Sequence, residues 1–155
     1  MTVRNARPSD TSSFAPIFDD AVRRVGPTHY TPDQIEMWAA AARDPDAYGR
    51  RIARAHTVVA ESDAGAVVGF GSLEPGGFVY ALYVQSGWHR QGVGGALLNA
   101  LIQHAESSGV GRLHSQASVF SLPIFLRAGF HVVGEETVER DGVRIDRTLV
   151  ERPVG

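Results

Sequence analysis

Three glycines, Gly92, Gly94 and Gly95, stand where a β-branched and aromatic run (Phe78 to Val84) gives way to a helix-forming stretch, directly after His89, Arg90 and Gln91. Glycine lets a backbone approach a ligand closely, and the first N–H groups of a helix have no partner within it. Together with the helix dipole they attract anions, so the chemistry expected at this corner is phosphate binding. Single letters exclude two familiar phosphate loops. Gly87 and Gly92 have the glycine spacing of G-x-x-x-x-G-K-S/T, but Val93 occupies the lysine position. A dinucleotide pattern starting at Gly92 finds Gly94 and then Leu97 in place of its third glycine. The chain has no cysteine, which excludes disulfides, thiolate metal sites and a cysteine nucleophile. Its six histidines show no metal-ligand spacing, and there is no G-x-S-x-G elbow. Histidine and glutamate can take a proton, and His29, in a loop beside Tyr30, and Glu74, beside the turn Pro75-Gly76-Gly77, are candidates for that role, with Tyr80, on the strand, as a candidate to orient a substrate.

The run H-R-Q-G-V-G from His89 to Gly94 resembles the acyl-CoA pyrophosphate loop of the GNAT superfamily of N-acyltransferases, written Q/R-x-x-G-x-G/A. His89 departs from the usual Gln or Arg. The resemblance extends to Leu82, Tyr83 and Val84, which match the end of the family's preceding strand. It also covers A-S-V-F-S-L-P-I-F-L-R-A-G-F from Ala117 to Phe130, which is similar to the second cofactor segment. It implies acetyl-CoA as cosubstrate, held by Leu82, Tyr83, Val84, His89, Arg90, Gln91, Gly92, Val93, Gly94, Gly95, Ser118 and Phe125. The pantetheine arm would pair with the strand as an added strand does, and the Val84 N–H would polarise the thioester carbonyl. Many family members carry tyrosine where this chain has Phe125, so a general acid is not expected there. Gln116 faces the expected gap as a neutral amide.

Positioning these residues requires a particular order of elements. Thr2 to Ala6 reads as a strand, and Pro8-Ser9-Asp10 as a turn with an N-cap opening a helix from Thr11 to Val25. Thr31-Pro32-Asp33-Gln34 has capping-box spacing for a helix to about Ala42, and Asp44-Pro45 starts a third helix through about Ala53. Strands follow at His56 to Glu61, Ala66 to Leu73 and Phe78 to Val84. By two-residue alternation the last places Phe78, Tyr80 and Leu82 on one face. The next helix turns Leu97, Leu98, Leu101, Ile102 and Ala105 to one side. Arg112 to Ser118 forms a fifth strand, and Ser121 caps a short helix. A hairpin of His131 to Arg140 and Val143 to Val150 turns at Asp141-Gly142 as type I′.

The fold class expected is therefore α/β of the α+β kind. By resemblance it is a single GNAT-like domain over residues 1–155, with a mixed sheet of about seven strands flanked by helices and splayed fourth and fifth strands. A length of 155 residues, 43% hydrophobic and 21% charged content and a net charge of -2 describe a globular chain with no general pull toward nucleic acid or membrane. Arg50, Arg51 and Arg54 read as a solvated helix face, and all fifteen basic residues are arginine. No signal peptide or membrane-length apolar run is visible, so the expected location is cytoplasmic. The function implied is an acetyl-CoA-dependent N-acetyltransferase acting on a primary amine of a small molecule or peptide. The alternative is a catalytically weak acyl-CoA-binding sensor. Exposed edge strands leave a homodimer open.

Overall fold

The computed structural model describes residues 1–155. Seven strands form one sheet: β1 (Thr2–Asn5), β2 (His56–Glu61), β3 (Val67–Leu73), β4 (Phe78–Val84), β5 (Arg112–Ala117), β6 (His131–Arg140) and β7 (Val143–Pro153). Their spatial order is β1-β2-β3-β4-β5-β7-β6. The helices are α1 (Thr11–Val25), α2 (Pro32–Ala39), α3 (Pro45–Arg54), α4 (Val93–Ser107) and α5 (Leu122–Arg127). No helix is long and apolar enough to cross a membrane.

Local chemistry accounts for most element ends. Thr31 Oγ1 accepts the Gln34 N–H at 3.2 Å while Gln34 Oε1 accepts the Thr31 N–H at 2.9 Å, closing the expected capping box. α2 passes into a 3-10 turn at Ala40–Ala42, so its regular part is shorter than its sequence indicates. Asp44 caps α3 through the Ala47 N–H at 3.1 Å. Asp10 does not cap α1: its carboxylate accepts the Arg7 N–H at 2.7 Å and pairs with Arg4 at 2.8 Å, stitching α1 to β1. The Asp141-Gly142 turn has φ of 52° and 79°, as a type I′ hairpin requires. β7 runs on to Pro153, where β5 pairs with its Thr148 to Pro153.

The helices divide into two layers. α4 presents Leu97, Leu98 and Leu101, all fully buried, to one face of the sheet. Burial of each side chain contributes at most about 1.5–3 kcal/mol. The opposite face packs against α1, α2 and α3 through Phe14, Phe18, Ile35, Tyr48 and Ile52. Phe14 lies 4.9 Å from Phe70 and Phe18 4.9 Å from Tyr48, ring centroid to centroid.

The parallel contact between β4 and β5 is two residues long: Phe78 faces His114 and Val79 faces Ser115. Gly77 fixes this end. Its φ is 93°, and a Cβ there would meet the Arg112 carbonyl oxygen at 2.2 Å, so only glycine lets the turn before β4 cross so near β5. The His114 N–H then donates to the Gly77 carbonyl at 3.0 Å. Beyond this point β4 stays with β3 and β5 stays with β7. The strands splay as expected, and the gap opens toward their C-terminal ends.

Two imidazoles meet where β2 packs on α4. His56 and His104 stack with ring centroids 3.4 Å apart and planes at 4°. Burial, and then the neighbouring His104, push the His56 pKa down. The fold therefore favours the neutral ring. That stability is fully present above the unfolded value of about 6.5 and is lost as pH falls from there through the folded value. Arg4, which lies along the same small cavity, is ion-paired with both Asp10 and Glu61. Thermal unfolding at pH 7.5 and 5.5 should show a smaller drop in Tm for His104→Gln than for the wild type. Equal drops would remove the pair from the acid response.

Candidate active site

The gap between β4 and β5 continues into a cavity of about 940 Å³ that reaches from the N-terminus of α4 to the loops before α2. This lies within the size range of small-molecule sites. Its floor is the outward edge of β4. The Gln85 N–H donates to the Val68 carbonyl at 2.8 Å, and alternation along an antiparallel ladder turns the peptide groups of Leu82 and Val84 away from β3. With β5 diverged, these groups face the gap. The Val84 carbonyl accepts the Nε2–H of His89 at 2.8 Å, leaving its N–H free.

That bond revises the reading of His89. One ring nitrogen clamps the loop to the strand, and only Nδ1 remains for a phosphate. The loop is also tied to α1, because the Ser86 N–H donates to Asp20 Oδ2 at 2.7 Å. Arg90 (φ 61°) and Gly92 (φ 79°) make the left-handed turns that bring the chain into α4. The first bond at this helix start runs from the Ala96 N–H to the Gly92 carbonyl at 3.1 Å, and Gly92 offers no side-chain cap. The N–H groups of Val93, Gly94 and Gly95 are thus open at the cavity wall. Gln91 turns away from it, its side chain 3.4 Å from the Gly87 carbonyl. A Cβ at Gly95 meets nothing within 4 Å, whereas one at Gly94 would meet Ile124 Cδ1 at 2.8 Å. Gly94 therefore serves the close approach of α5 to α4 as well as the helix corner. These open donors and clear glycines fit a pyrophosphate.

On the opposite wall, Ser118 lines the cavity with its hydroxyl engaged: the Ser121 N–H donates to Ser118 Oγ at 3.1 Å and the Ser118 N–H to Ser121 Oγ at 2.9 Å. Ser121 caps this loop rather than α5. The Val119 N–H donates to the Tyr30 hydroxyl oxygen at 3.1 Å, joining the β5–α5 loop to the loop before α2. Phe125 lines the cavity from a buried position, 5.0 Å from Phe130.

The residues expected to handle protons are dispersed. Tyr80 lines the cavity, but not on the face that simple alternation gives it. The β3–β4 register shifts between Ser72 and Leu73, and this bulge puts Tyr80 on the α1 side while Leu82 packs on the α4 side. Glu74 lies outside the lining and holds Arg51 at 3.4 Å. His29 is exposed at the rim, edge-on to Tyr30 at 5.1 Å and to Phe120 at 6.5 Å. Gln116 reaches Glu136 at 3.3 Å, and Glu136 pairs with Arg147.

The cluster of Arg50, Arg51 and Arg54 is exposed, as a solvated helix face should be, and Arg51 also lays its guanidinium 3.7 Å over the Tyr80 ring at the cavity wall. Arg147 and Asp146, from the first half of β7, also line the site, and nothing in their local sequence marked them. The signal lies only in pairing: Thr148 is opposite Ala117, the last residue of β5, so Asp146 and Arg147 project past it into the gap.

A sheet opened at its centre, an unpaired strand edge and a bare helix N-terminus beside it offer complementary groups to an extended arm and to a pyrophosphate. Residues 27–146 match the family described as Acetyltransferase (GNAT) domain. An uncharacterized N-acetyltransferase of Escherichia coli (strain K12), YafP, is 33% identical over 142 residues, covering 92% of this chain and 89% of the relative. Among solved structures, a GCN5-related N-acetyltransferase from Rhodopseudomonas palustris aligns with a TM-score of 0.90 at 27% identity, covering 99% of this chain and 95% of that one. The fold of yncA from Salmonella typhimurium, solved with its cofactor acetyl-CoA, is also similar, with a TM-score of 0.70 at 21% identity over 100% and 94% of the two chains. The chain belongs to the GNAT acetyltransferase family.

Proposed function

We propose that the protein transfers the acetyl group of acetyl-CoA to a primary amine of a small molecule or peptide in the cytoplasm, with residues 1–155 serving as one catalytic domain. The observation that carries this reading is the outward-facing edge of β4 at Leu82 and Val84, leading directly to the open N–H groups of α4. The N–H groups of Val93 to Gly95 bind the pyrophosphate, with Arg90 beside them. The peptide groups of Leu82 and Val84 align the pantetheine arm, and the Val84 N–H donates to the thioester oxygen as negative charge develops there. The acceptor amine forms the new C–N bond, the C–S bond breaks and CoA leaves as thiolate.

Alignment supplies much of the rate, because holding the amine against the carbonyl removes the entropy of encounter. The ammonium proton leaves through water at the cavity mouth, where His29 stands as acceptor. Tyr80 orients the acceptor, and Glu74 acts on Tyr80 only through Arg51. The sensor reading finds no support in the relatives, which carry N-acetyltransferase names.

A thiol-release assay over aminoglycosides, polyamines, amino acids and peptide N-termini tests the reading directly. CoA should appear only when an acceptor is present; binding without release across the whole panel would reject the transferase. With an acceptor in hand, Phe125→Tyr should change kcat by less than about threefold. A thiol is a far better leaving group than an amine or alcohol, so no positioned acid is required. A large gain in kcat would instead show that protonation of the thiolate limits turnover.

A further inference from the structure

We propose that the acceptor half of the cavity recognises an amine carrying a carboxylate on a flat apolar body, the carboxylate being held by Tyr48, Tyr83, Arg51 and Arg147. This deepens the transferase reading and rests on it for the identity of the site.

The argument begins with hydrogen-bond capacity. Tyr48 is 4% exposed and lines the cavity from α3, yet its hydroxyl has no partner. A buried hydroxyl left unpaired costs about 1–3 kcal/mol, so its persistence calls for an explanation. Tyr83 accepts the Trp38 Nε1–H at 3.2 Å, which leaves its own O–H to donate. Arg147 spends one nitrogen on Glu136, while its Nε–H is buried and unpartnered. Arg51, half-exposed over the Tyr80 ring, has a single contact at 3.4 Å to Glu74, and its other N–H groups have no protein partner.

These groups form one neighbourhood. All four line the same cavity, and the Tyr48 and Tyr83 rings each pack on Phe18, at 4.9 and 4.8 Å. Burial pushes the Tyr48 and Tyr83 hydroxyls well up, so both remain protonated donors throughout the physiological range. The cluster thus offers two hydroxyl protons and, beyond the Glu74 and Glu136 carboxylates that Arg51 and Arg147 already hold, the remaining N–H groups of two guanidiniums. The lining carboxylate Asp146 already accepts the Thr137 hydroxyl at 2.7 Å. A carboxylate, with two oxygens and about four lone-pair directions, is the complement of such a set. The walls beside it are aromatic: Trp38 stands 5.4 Å from Tyr30, and Tyr30 6.0 Å from Phe120. These rings and Tyr80 line the same cavity, which is the wall a flat apolar body would contact.

Binding separates this inference from the transferase reading. Calorimetry on the CoA-loaded protein compares phenylacetate with 2-phenylethanol, which has the same body and no charge. Phenylacetate should bind at least about tenfold more tightly, and Tyr48→Phe and Arg51→Gln should each erase most of that preference. Tyr48→Phe removes an unpaired hydroxyl, so its Tm should stay level or rise while its affinity for phenylacetate falls. Equal affinities for the two probes, or a preference that survives both substitutions, would overturn the inference. In the thiol-release assay, phenylalanine should outperform phenylethylamine in kcat/KM by about 10² or more, because a site built for a charged group rejects analogues lacking it. No release with any amine, alongside an intact phenylacetate preference, would reject the transferase and leave the anion site standing.

Discussion

Gly95→Asp should abolish CoA binding while leaving the fold as stable as before or slightly more so. Gly95 is the third residue of α4, and a Cβ there meets nothing within 4 Å, so the substitution brings no clash with the protein. Replacing glycine inside a helix removes a conformational cost, and a carboxylate in the first turn interacts favourably with the helix dipole, by about 0.3–1 kcal/mol. The same charge stands where the pyrophosphate is proposed to lie, and juxtaposed like charges cost several kcal/mol. Since each 1.4 kcal/mol is tenfold, CoA affinity should weaken by at least about 100-fold. Calorimetric titration with CoA, together with a thermal melt, reads both effects. Unchanged affinity in a folded Gly95→Asp protein would move the phosphate site away from this corner. Gly94→Val is a poorer test: its new side chain would press on Ile124, so lost binding would carry a packing contribution.

Val84→Pro should lower kcat by about 10²–10³, the usual range for loss of one oxyanion donor, with CoA affinity largely retained. Proline removes the N–H and places ring carbon in the direction from which it would donate. The change is tolerable here because that edge of β4 has no strand partner, the position in a sheet where proline is accepted. The bonds from β4 to β3, including Gln85 to Val68, remain in place. Some stability should be lost, since Val84 is buried on the α4 side. Steady-state kinetics beside a CoA titration separates the two roles. Equal losses in kcat and in CoA affinity would make Val84 a pantetheine contact only, and undiminished kcat would assign the thioester oxygen to another donor.

Much of the architecture was legible in the letters because it rests on local rules. Thr31 and Gln34 announced a helix start that their side chains close, and the apolar face of α4 followed from helical spacing alone. Asp141-Gly142 fixed the final turn through its positive φ values. The phosphate corner was equally local, because glycines at a strand-to-helix junction prescribe free N–H groups wherever the junction lies.

The acceptor half depended on long-range pairing that no local pattern encodes. Arg51 belongs to an arginine cluster that reads as solvated, yet the packing of α3 against the sheet lays it over Tyr80. Tyr80 changes face because of one extra residue in β4 opposite β3, and a bulge has no fixed letter signature. Asp146 and Arg147 enter the gap because β7 outruns the end of β5, and His89 is drawn to the Val84 carbonyl by the turn between them. The sequence by itself determined the elements, the phosphate corner and the family resemblance, since those depend on neighbours along the chain. Only the tertiary structure decided which donors line the rest of the cavity, since that depends on strand register and helix packing between residues as far apart as Tyr48 and Arg147.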